Sequence, residues 1–156
     1  MTVTALLSLG GNLGDRKAMM DEALRRLAQL PGAKLLARSA YYRTDPDGPV
    51  PQPWFLNIAA TLSTPLSHDE LKRACREIEA ALGRDRRREI SWGPRIMDID
   101  VVAYGEADDI DRRPFVVIPA AEIAGHWRIG SATLATLAAD SATVGVEKLD
   151  WPVEEI

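Results

Sequence analysis

Apolar and polar positions change period several times along this 156-residue chain, and each change marks an element. Thr2 to Leu9 is an apolar run of strand length, the pattern of a buried strand. From about Arg16 to Gln29 the pattern turns helical: Met20, Ala23, Leu24, Leu27 and Leu30 share a face, Asp15 is placed as N-cap, and Pro31-Gly32 ends the run. Lys34 to Arg43 reads as a second strand and Trp54 to Leu62 as a third. In the third, Leu56, Ile58, Ala60 and Leu62 form a clean core face, while Phe55, Asn57, Ala59 and Thr61 point the other way. Ser67-x-x-Glu70 is a capping box that opens a second helix, with Leu71, Ala74, Cys75, Ile78 and Leu82 as its stripe and Gly83 at its C-terminus. His68, in the first turn, reads as solvated. Asp98 to Tyr104 is a fourth strand: Asp98, Asp100, Val102 and Tyr104 on one face, Ile99, Val101 and Ala103 on the other. The tail predicts a short helix over Ser131 to Ala139 and a strand over Val144 to Leu149.

The order strand, helix, strand, strand, helix, strand is the βαββαβ pattern of ferredoxin-like α+β folds. It predicts an antiparallel sheet with two helices on one face, leaving the other for the site and the remaining elements. Two breaks in the pattern are turn-like. Gly10-Gly11-Asn12-Leu13-Gly14 reads as a tight turn, since glycine and asparagine tolerate positive φ. Thr44 to Pro53 is too rich in proline for a helix or a central strand, and is either a rigid connector or the wall of a pocket.

Composition bounds the function. A chain of 156 residues fits one domain, residues 1–156, with a real core. Net charge −4 argues against a nucleic-acid binder. The single cysteine, Cys75, cannot form an internal disulfide and suits a reducing compartment. No signal peptide or membrane span is legible, so the cytoplasm is the default location and no membrane partner is expected.

The chemistry gathers around Trp92 to Val102. Asp98 and Asp100 share a strand face with their Cα atoms about 7 Å apart. They are either the solvated face of an edge strand or ligands of a hard dication such as Mg²⁺, which takes carboxylate oxygen and completes its shell with water and phosphate. Arg95 offers a planar fork for phosphate. The run Arg84-Asp85-Arg86-Arg87-Arg88-Glu89 is dense positive charge in an acidic chain, either a solvated loop or a complement to polyphosphate. Phe55 and Asn57 offer an aromatic plane and an amide two residues apart, which suits a flat heterocycle with amide-like edges and equally suits a packed ring beside a satisfied asparagine.

Taken as a block, Trp92-Gly93-Pro94-Arg95-Ile96-Met97-Asp98-Ile99-Asp100-Val101-Val102 resembles the signature of the 6-hydroxymethyl-7,8-dihydropterin pyrophosphokinase family. Leu9 to Asp15 resembles the family's N-terminal signature, which commonly has serine at the place of Gly11. Tyr42-Arg43-Thr44, Gly48-Pro49 and Phe55-Leu56-Asn57 resemble its pterin site, and Pro114 to Ala124 resembles its phenylalanine-led segment. The resemblance covers nearly the whole chain and agrees with the βαββαβ core.

The resemblance implies Mg²⁺-dependent transfer of diphosphate from ATP to the pterin hydroxymethyl group, giving AMP, with pterin and nucleotide as the partners. It implies a pterin site of Thr44, Phe55, Asn57 and Phe115, and a metal site of Asp98 and Asp100. Glu79, Arg84, Trp92, Arg95, Ile99 and Arg113 fall to the nucleotide, with Arg84 and Arg95 also aiding the chemistry. The chain departs from the family after Gly105: about ten residues are missing, including a Val-Pro-His-type motif that contributes to nucleotide binding. A pterin binder with lost or altered kinase activity is therefore the alternative, and a scaffold on a ferredoxin-like core is the third.

Overall fold

The computed structural model describes the whole chain, Met1–Ile156. Its first strand, β1 (Val3–Gly11), runs further than expected, because Gly10 and Gly11 continue the strand instead of turning. What they supply is room. A Cβ on Gly10 would stand 2.3 Å from Asn57 Oδ1, and one on Gly11 would stand 2.4 Å from the Ile96 carbonyl oxygen. A glycine pair inside a strand marks close approach by neighbours as readily as it marks a turn.

Helix α1 (Arg16–Ala28) is capped as expected, Asp15 accepting a hydrogen bond from the Ala18 N–H. The strand expected over Lys34 to Arg43 is two strands, β2 (Lys34–Arg38) and β3 (Tyr42–Thr44). The chain leaves the ladder at Ser39 to Tyr41 for physical reasons. Ser39 Oγ accepts from the Ala59 N–H at 2.9 Å, and Tyr41 is fully buried with its hydroxyl donating to Asp21 of α1. Next come β4 (Phe55–Thr64) and α2 (His68–Ala81), where both arms of the Ser67/Glu70 capping box are present. Leu82 caps α2, and Gly83 follows it with φ +105°, a value that suits glycine. The basic run forms one 3₁₀ turn at Arg86–Arg88.

Strand β5 (Asp98–Tyr104) has the expected span. Helix α3 (Pro114–Ala124) starts on a proline and carries Pro119 inside. A hairpin of β6 (Arg128–Ile129) and β7 (Ala132–Thr133) precedes α4 (Leu134–Ala139), and β8 (Val146–Lys148) closes the chain. The tail helix thus begins at Leu134 and not at Ser131, because Ala132-Thr133 pairs with Arg128-Ile129 and Thr133 caps the helix.

The sheet is antiparallel, in the order β5-β1-β4-β3-β8, with β2 also paired to β4. One face, with Leu7, Leu9, Leu56, Ile58 and Leu62, packs on Met20, Leu24 and Leu27 of α1 and on Leu71 and Cys75 of α2. The other, with Leu6, Ala59 and Ala103, packs on Ala120 and Ala124 of α3 and Leu134 of α4. The two expected helices therefore share one face, as the βαββαβ pattern requires.

Strict alternation fails at one place in β5. Its register with β1 shifts opposite Leu6 and Leu7, leaving Val102 as an extra residue, a β-bulge. Beyond the bulge Ala103 joins the second core and Tyr104 packs on the first, the reverse of the simple pattern. His68 is correspondingly half-buried, not solvated: it stacks on Tyr104 with ring centroids 5.0 Å apart. Asp98 and Asp100 precede the bulge and keep their expected face.

Candidate active site

Three neighbouring strands make the floor of the site. Gly10 in β1 lies opposite Asp98 of β5 on one side and opposite Asn57 of β4 on the other, and Ser8 lies opposite Asp100. Thr44 of β3 lies opposite Phe55. On this end of the sheet, beside α3, the side chains surround a cleft of about 290 Å³. The absence of a side chain at Gly10 is what lets the Asn57 amide lie over β1.

The cleft has two chemically distinct ends. At one, Phe55 and Phe115 supply rings, while buried Asn57 donates its amide to Thr44 Oγ1, which is also buried. At the other stand Asp98, Asp100, Arg95, Trp92 and Arg113. Asp98 is held on both oxygens: Oδ1 accepts from Arg84 at 2.9 Å, and Oδ2 lies 3.6 Å from Arg95. Asp100 makes no ion pair. The protein around its carboxylate strips away water, and Asp98 and Glu79 add repulsion, which together push its pKa up to about 6. The carboxylate still meets solvent at the mouth of the cleft, so it is crowded by protein and by charge without being sealed off.

That crowding is the test of fit for a dication. No group of three or more acidic, histidine or cysteine ligands is assembled here, so the protein cannot cage a metal alone. Two carboxylates, one lacking any counter-charge, match what Mg²⁺ takes when water and phosphate complete its shell. Arg95 tells a similar story for anions. Its Nε is buried with no hydrogen-bond partner, an orphan donor that an incoming oxyanion can satisfy.

Residues 6–125 match the model of the 7,8-dihydro-6-hydroxymethylpterin-pyrophosphokinase family. The chain belongs to this family. It is 43% identical over 157 residues to the 2-amino-4-hydroxy-6-hydroxymethyldihydropteridine pyrophosphokinase of Methylorubrum extorquens, a match that takes in 94% of this chain and 98% of that one. It is 35% identical over 155 residues to the protein of the same name from Pseudomonas aeruginosa, covering 92% of this chain and 94% of that one. The fold is also that of the HPPK-DHPS protein of Plasmodium falciparum, with a TM-score of 0.67 at 11% identity, over 89% of this chain and 45% of that one. At that identity the likeness speaks for the fold alone, and the chain spans less than half of the Plasmodium protein.

Within the pyrophosphokinase frame, the residues singled out from sequence fall into two groups. Thr44, Phe55, Asn57, Phe115, Trp92, Arg95, Asp98, Asp100 and Arg113 all line the cleft. Glu79, Arg84 and Ile99 lie behind its floor. Buried Glu79 accepts from the Ile99 N–H at 2.7 Å and from Arg86 at 2.9 Å, with Arg84 at 3.2 Å. The Arg84 side chain is only 4% exposed and donates to Glu89, to the Met97 carbonyl and to Asp98. In this arrangement Arg84 supports Asp98 from below.

Several cleft residues were not singled out from sequence. Ser8, Asp45 and Asp47 line the cleft, and nothing in their spacing marks them. Asn12 is more instructive. It is buried and acts as a clasp: its backbone N–H donates to the Arg95 carbonyl and its Oδ1 accepts from the Arg95 N–H, both at 3.0 Å. Its amide also donates to Gln52 Oε1 at 2.9 Å and to the Pro53 carbonyl at 3.0 Å. Gln52 in turn donates to the Trp92 carbonyl at 2.6 Å. A polar residue closing an apolar strand was the available signal.

Proposed function

We propose that this chain transfers the diphosphoryl group of ATP to the hydroxymethyl group of 6-hydroxymethyl-7,8-dihydropterin, releasing AMP. The observation that carries this reading is the two-ended cleft, a ring-and-amide end joined to an acid-and-arginine end. Phe55 and Phe115 hold the pterin ring by its faces, and Asn57, fixed by Thr44, reads its edge. That pose turns the hydroxymethyl oxygen toward the phosphates held at Arg95 and Arg113. The oxygen attacks the β-phosphorus and gives up its proton to solvent, while the bond from that phosphorus to the bridging oxygen breaks and AMP leaves with that oxygen. No protein nucleophile takes part, so catalysis is positioning and charge neutralisation. Asp98 and Asp100 are the residues that would hold Mg²⁺, which when bound would supply positive charge to offset that of the phosphates. Arg84 keeps Asp98 oriented.

The second reading, a pterin binder with lost or altered kinase activity, draws on the short connection from Glu106 to Arg113. The carboxylate pair and the orphan Arg95 donor favour transfer, because a pure pterin binder has no use for them. We read residues 1–156 as one domain, which a six-stranded main sheet with a core on each face supports. No helix is long and apolar enough to cross a membrane, and the lone buried Cys75 favours a reducing compartment such as the cytoplasm.

Calorimetry with the pterin alone, then with a non-transferable ATP analogue and Mg²⁺, tests the reading, followed by a turnover assay for AMP. Binding of both ligands with AMP release is expected. Pterin binding with no release of AMP establishes the binder instead.

A further inference from the structure

The rim of the cleft carries an ion cluster that the reaction above leaves unexplained. Arg113 lies over the Phe115 ring, its guanidinium carbon 4.6 Å from the ring centroid. Asp111, two residues upstream, grips the same guanidinium. Arg113 Nη2 donates to Asp111 Oδ2 at 2.6 Å, Nε reaches both carboxylate oxygens at 3.1 Å, and the Arg113 backbone N–H donates to Oδ1 at 3.0 Å. Asp47, from the proline-rich loop, stands 3.8 Å from the remaining nitrogen, Nη1.

The Nε/Nη2 edge of an arginine fork takes one bidentate oxyanion at a time, carboxylate or phosphate. Here that edge is filled by the protein's own carboxylate, at the rim of a cleft whose proposed ligands include a polyphosphate. The contact is made within three consecutive residues, so Asp111 stays at a high effective concentration beside Arg113 even after release. The Arg113 guanidinium holds the Asp111 carboxyl below the usual carboxylate range, so it is charged and able to compete at neutral pH. Both side chains are partly open to solvent, 44% and 34%, so neither is locked by burial.

We propose that Asp111 is a positioning residue that competes with substrate phosphate for Arg113, holding the guanidinium over Phe115 and yielding it to an incoming polyphosphate. Asp111 thereby limits nucleotide affinity and helps the phosphates leave. This inference rests on the pyrophosphokinase reading.

The test is calorimetry on wild type, Asp111→Asn, Asp111→Glu, Arg113→Ala and the Asp111→Asn/Arg113→Ala double variant. Each is titrated with a non-transferable ATP analogue plus Mg²⁺ and, separately, with inorganic diphosphate. These two arms separate nucleotide phosphate from the diphosphoryl unit alone. Asp111→Asn is expected to bind at least one of them about two- to fivefold more tightly, the range for a partly exposed ion pair. KM for ATP should fall with it while kcat does not rise, and Asp111→Glu should stay near wild type. In the Arg113→Ala background the gain should vanish. Two results overturn the inference: no tightening in Asp111→Asn, or an equal tightening without Arg113, which marks plain removal of negative charge. If wild type binds neither pterin nor nucleotide, the pyrophosphokinase reading fails and takes this inference with it. If wild type binds both and Asp111→Asn binds no tighter, the inference fails alone.

Discussion

Asp100 is an acid whose charge is set by its surroundings, burial first and neighbouring acids second. Its pKa of about 6 lies above the ordinary carboxylate value of 3.8, so the folded protein keeps this proton where the unfolded chain has lost it. The sign follows directly. Asp100 favours the fold below pH 3.8, and that contribution is lost as pH rises through about 6. Asp100→Asn should therefore stabilise the ligand-free protein at pH 7.5 by roughly 1 kcal/mol, a value reduced for solvent at the cleft mouth. The gain should disappear below pH 4, and thermal unfolding at the two pH values measures it. The same variant, and Asp98→Ala, should lose Mg²⁺-dependent nucleotide binding; unchanged affinity in both removes the metal assignment. This pair was legible from sequence because strand alternation and chemistry agreed. The glycines of β1 were not, since Gly10 and Gly11 serve neighbours distant in sequence, Asn57 and Ile96. Gly10→Ala should push the Asn57 amide out of place and weaken pterin binding at least tenfold while the chain still folds, which calorimetry and circular dichroism together decide.

At the scale of elements, local signals succeeded where the cause was local. The Ser67/Glu70 box, the Asp15 cap and the span of β5 are set by residues within a turn or along one strand. The failures have distant causes. The bend between β2 and β3 depends on Ser39 meeting Ala59 and Tyr41 meeting Asp21, and the bulge at Val102 depends on how β5 lies along β1. Helix α3 was hidden by its composition, because Val116-Val117-Ile118-Pro119 favours extended chain in isolation and is helical only where it packs on the sheet. The loops around the cleft belong to the same class. Asn12 binds the Arg95 backbone and the proline-rich loop at once, so Asn12→Ala leaves several buried polar groups unpaired. The expected cost is about 2 kcal/mol in stability, from denaturant unfolding. Nucleotide affinity should fall more than pterin affinity, because Arg95 belongs to the acid-and-arginine end.

For the molecule as a whole, the two ends of the cleft should differ in how ready they are for a ligand. The ring-and-amide end, proposed for the pterin, rests on β1, β3 and β4 and on the first turn of α3, with Asn57 already fixed by Thr44. The phosphate end is less prepared. Of the three arginines that the family resemblance assigns to it, Arg84 is engaged by Glu79, Glu89 and Asp98, and Arg113 by Asp111 and Asp47. Arg95 alone keeps a buried donor without a partner. Four acids, Asp45, Asp47, Asp98 and Asp100, line the same space and repel a polyphosphate. Each charge-assisted contact not made is worth roughly 1.5–3 kcal/mol, or about ten- to a hundredfold in affinity. The pterin should therefore bind measurably without nucleotide, whereas a non-transferable ATP analogue should bind only when Mg²⁺ offsets the acids. On the proposed metal assignment, nucleotide binding should also weaken as pH falls through about 6, where Asp100 takes up a proton and would no longer offer a charged oxygen to Mg²⁺. Titrations of each ligand with and without Mg²⁺, at pH 5 and pH 8, decide this. Tight, pH-independent nucleotide binding in the absence of Mg²⁺ would mean that the acids and the tied arginines do not control the phosphate end.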